Sequence, residues 1–232
     1  MSTDASKSTI SERLARFAAG LRYEDISPAV LERAKYLILD AIGIALASTR
    51  QEYARAAFEG LAMFGSGNGV VIGIRERLPV RDAIVMNGVL VHGLDYDDTH
   101  PEGVVHSTSS CFPCAFGVAS HASASGRDLL AAFVLGTEVA ARLGMVARGA
   151  LHEAGFHPTG MLAAFSGALI AGKLYGLSER EMVMAQGIAL STGSSSSRQF
   201  NRDASGSKRL HPGWGAAAHP SGSTLLHNTP AR

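Results

Sequence analysis

Apolar residues recur at helical spacing along most of this 232-residue chain, with capping signals between the runs. Thr9-Ile-Ser-Glu12 reads as a capping box, in which the hydroxyl accepts from the third helical amide and Glu12 reaches back. Ile10, Leu14, Phe17 and Leu21 then share one face. Ser27-Pro28 pairs an N-cap with proline at the first helical position and opens a long helix to about Ser48. Val30, Leu31, Ala34, Leu37, Ile38, Ala41, Ile42 and Ala45 form its inward set, and its second half, LDAIGIALAS, has almost no polar face, which predicts burial on most sides. Further helices are predicted over Glu52 to Phe64, Pro79 to Gly93, Ser107 to about Ala122, Ser125 to about Val146, Pro158 or Thr159 to about Tyr175, and Ser178 through Leu190. Val70 to Ile74 is a candidate strand, short and isolated. From Ser191 the segment STGSSSS predicts a loop, and Lys208 to Gly213 a basic turn. The remainder carries prolines and polar residues with no amphipathic pattern. The expectation is an all-α domain over 1–214 followed by an irregular polar tail, 215–232.

Composition narrows the class. The chain is 46% hydrophobic and 18% charged, enough apolar material for a sizeable core. Its formal net charge of +1 gives no electrostatic case for nucleic acid or an anionic membrane. The N-terminus has no apolar segment of signal-peptide type. The longest uncharged apolar run, Gly160 to Gly172, is short for a membrane span and is closed by Lys173, so a buried helix is the better reading. Cys111 and Cys114, spaced C-x-x-C, cannot alone complete a four-ligand zinc site, and they read as small apolar residues one turn apart. A cytoplasmic location is expected.

The candidate chemistry lies between two apolar helices, in Leu94-Asp-Tyr-Asp-Asp-Thr-His100 with His106 just beyond. Held there, the carboxylates need hydrogen bonds, cations or protons. Three uses are open for the loop: general acid–base work beside a carboxylate substrate, magnesium binding by Asp97-Asp98 in the loose manner of helical terpenoid synthases, and plain helix capping. No second acidic motif downstream supports the metal. His157 stands in the glycine-flanked turn Gly155-Phe-His-Pro-Thr-Gly160, where Thr159 can cap the next helix, whose N-terminus favours anions. Lys208, Arg209 and His211 make a compact basic patch, either a solvated loop or a carboxylate clamp, and His100 joins Arg209 and His211 as a candidate substrate contact. Together these groups are an inventory for enolising a polycarboxylate.

The chain resembles the MmgE/PrpD family, which includes 2-methylcitrate dehydratase and cis-aconitate decarboxylase. The matching residues are Leu39-Asp-Ala-Ile-Gly43, Asn87-Gly88, His92-Gly-Leu-Asp-Tyr-Asp-Asp-Thr-His100, His106, Ser125-Gly126, Gly136-Thr-Glu138, Gly155 to Gly160 and Lys208 to Gly213, in family order. One residue is added between Thr99 and His106 relative to the decarboxylase-like pattern. The resemblance implies a large all-α domain with a smaller α/β lid, the lid being absent from the sequence after Trp214. It also implies that Asp95, Thr99, His106, His157 and Lys208 line a catalytic site, that no metal or other cofactor takes part, and that the chain forms a homodimer. The expected activity is a lyase of 2-methylcitrate dehydratase type, with Lys208 and imidazoles holding carboxylates, His106 or Asp95 as base and His157 as acid. Decarboxylation and epimerisation by the same loops are the alternatives, as is a non-catalytic helical dimerisation fragment. Without a lid, weak or no activity is expected. Asp95, Thr99 and His157 should lie around one cavity.

Overall fold

The computed structural model describes residues 8–193, Ser195 and 207–227, and the described chain is all-α. Ten α-helices follow in order among the described residues: α1 Ile10–Gly20, α2 Pro28–Ser48, α3 Glu52–Ala62, α4 Val80–His92, α5 Ser107–His121, α6 Gly126–Ala147, the short α7 Ala150–Glu153, α8 Pro158–Leu174, α9 Glu179–Thr192 and α10 Ser207–His227. The capping boxes form as the sequence predicts: Thr9, Ser125 and Ser178 each accept from the third helical amide while Glu12, Asp128 and Glu181 reach back. Helix α8, made from the apolar run, is buried around nearly its whole circumference. Helices α5, α6, α9 and α10 pack on it, and α4 closes against α5 and α10. α6 is long and apolar enough to cross a membrane by length and composition, but it packs in this body against α5 and α8. Cys111 and Cys114 are free, buried thiols on α5; burial pushes Cys111 up to about 11 and raises Cys114 further, so both are inert as nucleophiles.

The segment Val70 to Ile74 forms no strand. An isolated bridge joins Gly69 to Leu78. The backbone's other partner is a side chain: buried Asn87 on α4 accepts from Ile72 N at 2.9 Å and donates to Val70 O at 2.8 Å. One amide therefore satisfies groups that a second strand would otherwise take.

Helix α2 is less buried than its composition predicts. Ala34, Ala41, Ile44 and Ala45 face inward, but Tyr36, Leu39 and Leu46 are 57%, 65% and 48% exposed. The helix lies at the edge of the body, so an apolar stripe faces outward.

The expected turn at 208–213 and the irregular tail from Gly215 are also corrected as far as His227, because one helix, α10, runs through both; 228–232 lie outside the described residues. The segment has no stripe of large apolar residues. The sealing residues are instead small ones: Gly213, Gly215, Ala216 and Ala217 are buried against α4 and α8. A Cβ on Gly213 would stand 2.4 Å from Val85 O and 2.9 Å from Val85 Cα, and one on Gly215 would stand 2.4 Å from Gly160 O. Backbones in this contact leave no room for a methyl group, and the close approach outweighs the helix-breaking tendency of Pro212 and the glycines. Gly213→Ala should therefore destabilise the fold by about 1–3 kcal/mol. Gly187→Ala on α9, where a Cβ meets nothing within 4 Å, should be neutral or stabilising by up to about 1 kcal/mol. Urea melts followed by circular dichroism check this; equal midpoints for the two variants would contradict the packing account.

Candidate active site

Helix α4 ends at His92, and the chain turns through Asp95 in the left-handed region at φ 59°, a conformation Asp tolerates better than most residues. The turn aims the Asp95 carboxylate at the first turn of α10, where Lys208 Nζ donates to both oxygens at 2.6 Å. Partial burial pushes the Asp95 carboxyl up, but the hydrogen bonds and charge of Lys208 outweigh that and hold it below its ordinary value. Two residues on, Asp97 points inward and is fully buried with His92, whose Nδ1 lies 3.0 Å from both Asp97 oxygens. Asp98 is the helix-capping member of the trio: its Oδ1 accepts from Thr108 N at 3.0 Å in the first turn of α5. Burial raises the Asp98 carboxyl despite that bond.

Imidazoles continue from this dyad. The His106 ring meets the His92 ring edge-on at 5.1 Å, and its Nδ1 lies 3.3 Å from Thr99 Oγ1 and 3.8 Å from Asp97 Oδ2. His157 stacks on His92 at 5.5 Å, and His211 of α10 lies 5.5 Å from His157. His157 is fixed by its backbone, whose N–H donates to Ser195 O at 2.8 Å at the head of α8. Thr159, expected as a helix cap, instead accepts from His106 N at 3.1 Å and ties α8 to the acidic loop. The result is a file of four rings from four places in the chain, with an ammonium at its edge.

Burial makes two of these rings, His157 and His211, poor at holding protons. It pushes His157 down to about 2, with the neighbouring His92 and His211 adding to the effect, and it lowers His211 as well. Both are neutral imidazoles in the ligand-free site. The reading of His157 as a resident acid therefore needs an anion beside it to restore its basicity. His92, Asp95, Asp97 and His106 each bring a donor atom within 4.8 Å of the others. A cation there would have to displace Lys208 from Asp95 and His92 from Asp97.

Asp95, Thr99, His106, His157, Lys208 and His211 thus converge on one cluster, although they come from distant parts of the sequence. His100 and Arg209 are turned to the backbone. His100 Nδ1 accepts from Gly103 N at 3.0 Å, and Arg209 donates to Gly93 O at 3.0 Å with its guanidinium 4.5 Å over the Tyr53 ring. Sequence reasoning passed over the His92–Asp97 dyad. The available signal was His92 in the last turn of an apolar helix with a carboxylate five residues later, a pairing that only a reversal of the chain at Gly93 to Asp95 makes possible.

Comparison with known proteins places this geometry in context. The sequence signature described as the MmgE/PrpD N-terminal domain matches residues 12–219, reaching past Gly215 into the segment expected to diverge. The chain is 33% identical over 190 residues to a cis-aconitate decarboxylase of Aspergillus terreus, covering 79% of this chain and 39% of that protein. It is 32% identical over 191 residues to the cis-aconitate decarboxylase of Homo sapiens (79% and 39%). It is 30% identical over 226 residues to that of Mus musculus (94% and 45%). The chain therefore spans about two-fifths of the length of the curated relatives it matches, and with its signature matched over most of its length it belongs to the MmgE/PrpD family.

Proposed function

We propose that this chain carries the proton-transfer half of a lyase site for a small polycarboxylate of the cis-aconitate class. The observation that carries the reading is the joining of Lys208 and Asp95 to the file of His106, His92, His157 and His211. The relatives named above as cis-aconitate decarboxylases move the preferred reaction from dehydration of 2-methylcitrate to decarboxylation. Either reaction builds an enolate-like anion next to a carboxylate, and both need the same tools. In decarboxylation the carbon–carboxylate bond breaks, carbon dioxide leaves, and its electron pair passes into the unsaturated skeleton. A proton delivered to carbon completes a five-carbon unsaturated dicarboxylate.

Lys208 is the fixed cation. In the free site Asp95 neutralises it, and a substrate carboxylate draws on the same ammonium. His157 and His211, neutral through burial, become basic when a polyanion arrives, because an opposite charge favours the imidazolium. One of them then has a proton to give, and His106 stands across the dyad as the proton carrier on the other side. Incubating the chain with cis-aconitate and, separately, 2-methylcitrate, and following both by proton NMR, tests the reading. The expected result is a five-carbon product and carbon dioxide from the first. Loss of water from the second alone would restore dehydration, and no change in either would remove the proposal.

Two outcomes follow from the electrostatics. Ligand binding should take up protons: the histidines' free-state values are depressed and rise in the complex, so affinity for citrate strengthens as pH falls from about 8 to 6. Calorimetry in buffers of different ionisation enthalpy reads the uptake directly, and zero net uptake would contradict the assignment. Turnover should also survive chelation, since Lys208 and His92 already pair with the two carboxylates of the cluster. A chelator-sensitive rate restored by magnesium or iron would contradict that.

The reading includes a homodimer. The exposed stripe Tyr36, Leu39 and Leu46 on α2 is the face we assign to it, being apolar and regularly spaced on one helix. Leu39→Glu with Leu46→Glu should give a monomer in sedimentation equilibrium at concentrations where the parent chain is dimeric.

A further inference from the structure

We propose that Asp97 is the positioning residue of the site: one buried carboxylate that holds a proton on Nδ1 of both His92 and His106, leaving both Nε2 atoms to serve the ligand. The proposal deepens the lyase reading above and rests on it for its kinetic arm only.

The geometry is a shared acceptor. Asp97 has 1% of its side chain exposed, and His92 none. Both carboxylate oxygens lie 3.0 Å from His92 Nδ1, and Oδ2 lies 3.8 Å from His106 Nδ1. A carboxylate accepts and cannot donate, so the nitrogen facing it must carry hydrogen. For His92 this fixes the tautomer outright. For His106 the nearby charge favours the same nitrogen, and Thr99 Oγ1 at 3.3 Å accepts the hydrogen bond. A hydroxyl alone would permit either tautomer, because it both donates and accepts. The carboxylate removes that freedom.

The remaining nitrogens are then determined. His92 Nε2 is buried and has no hydrogen-bond partner among the described residues, which is costly unless a ligand or solvent meets it. The groups around the two rings are Thr99, Asp95 and Asp98 from the acidic loop, His157 from the head of α8, and Lys208 and His211 from α10. Neither of the other two carboxylates replaces Asp97 at Nδ1 of His92, since Asp95 is held by Lys208 and Asp98 caps α5 through Thr108 N. Asp97 is too buried to touch substrate. It acts through the rings, in the way a buried aspartate orients a histidine in hydrolytic triads.

The test uses the full chain labelled with 15N-histidine. Two-bond proton–nitrogen correlation spectra at alkaline pH, where ordinary imidazoles are neutral, report which nitrogen bears hydrogen. The expected result is Nδ1–H on both His92 and His106 in the parent chain. Asp97→Asn, whose amide can donate, should convert both rings to mixed or reversed tautomers. Thr99→Val should leave His92 unchanged. On cis-aconitate, Asp97→Asn should lower kcat on the order of 10²-fold or more with KM changed less than about three-fold, and Asp97→Glu should recover part of the loss. Hydrogen on Nε2 rather than Nδ1 of either ring in the parent chain would overturn the proposal. So would an Asp97→Asn variant with unchanged tautomers and kcat. If Asp97→Asn fails to fold, the parent and Thr99→Val spectra decide. If the parent chain does not turn over cis-aconitate, the lyase reading falls while the spectra still judge Asp97.

Discussion

Replacing His106 with glutamine is expected to lower turnover of cis-aconitate by about 10²–10⁴-fold while leaving the melting temperature near that of the parent chain. The ring is one-fifth exposed, in contrast to the fully buried His92, so it is open to a ligand. Its Nδ1 is engaged by Thr99 and faces Asp97, which leaves Nε2 as the working atom. Glutamine preserves a polar side chain of similar reach but neither accepts nor releases a proton near neutral pH. The fold should not need the ring: the residue's structural bond is made by its backbone N–H to Thr159 on α8, and a backbone bond survives the substitution. The measurement is a steady-state rate beside a circular dichroism melt. A variant with an intact melt and a rate within about ten-fold of the parent would remove His106 from the proton path and shift that role to Asp95.

Much of the architecture was legible because local rules and tertiary packing agree in it. The three capping boxes, the proline at the start of α2 and the apolar run of α8 all specify helices by themselves, and the structure places helices there. The failures have separate causes. α10 is held by glycine and alanine pressed against α4 and α8, and small residues carry no hydrophobic period to read. The Val70 to Ile74 segment has strand composition, but its backbone is satisfied by the side chain of Asn87 from the following helix, a partner that no local pattern reveals. Leu39 and Leu46 on α2 lie in a run whose lack of a polar face predicts burial on most sides, yet both are exposed, because apolar composition does not say what covers it.

The site divides in the same way. Asp95, Thr99, His106, His157 and Lys208 were found through a resemblance carried residue by residue, and they converge in space. Arg209 and His100 lie in the same matched stretches as candidate substrate contacts, and the structure gives both to backbone carbonyl or amide groups. The charge state of His157 was out of reach of sequence. An imidazole in a glycine-flanked turn gives no sign of its burial, and this one is sealed beneath His92 and His211 and loses its basicity to burial. Asp97 and Asp98 are adjacent and chemically identical in the sequence, yet one pairs with a histidine in the core and the other caps a helix. Only the course of the backbone after Asp95 separates their roles.

Lys208→Met is expected to have the other large effect, and its signature differs from that of His106→Gln. The ammonium donates to both oxygens of Asp95, so in the free protein it is both a cation and the counter-ion of a carboxylate. Methionine keeps the length of the side chain and removes the charge. Asp95 then loses the influence that holds its carboxyl down, while partial burial continues to push it up. The sign of the stability change follows. A depressed carboxylate contributes stability above its unfolded value, and that contribution is lost as pH falls through the folded value. In Lys208→Met this contribution disappears, so the stability difference between parent and variant is fully present at neutral pH and closes in acid. The effect on ligands is larger. Carboxylate recognition loses the Lys208 ammonium, and the developing anion loses its stabilising charge, so kcat/KM should fall on the order of 10³-fold with both constants affected. Lys208→Arg should rescue poorly, because a planar guanidinium cannot place a compact charge between the two oxygens of Asp95 and a substrate carboxylate at once. The combined Asp95→Asn, Lys208→Met variant should recover folding stability without recovering turnover, since it removes the uncompensated carboxylate but not the need for a cation. Equal kcat/KM for Lys208→Met and the parent chain would show that the substrate's charge is met elsewhere, and the assignment of this cluster as a polycarboxylate site would fail with it.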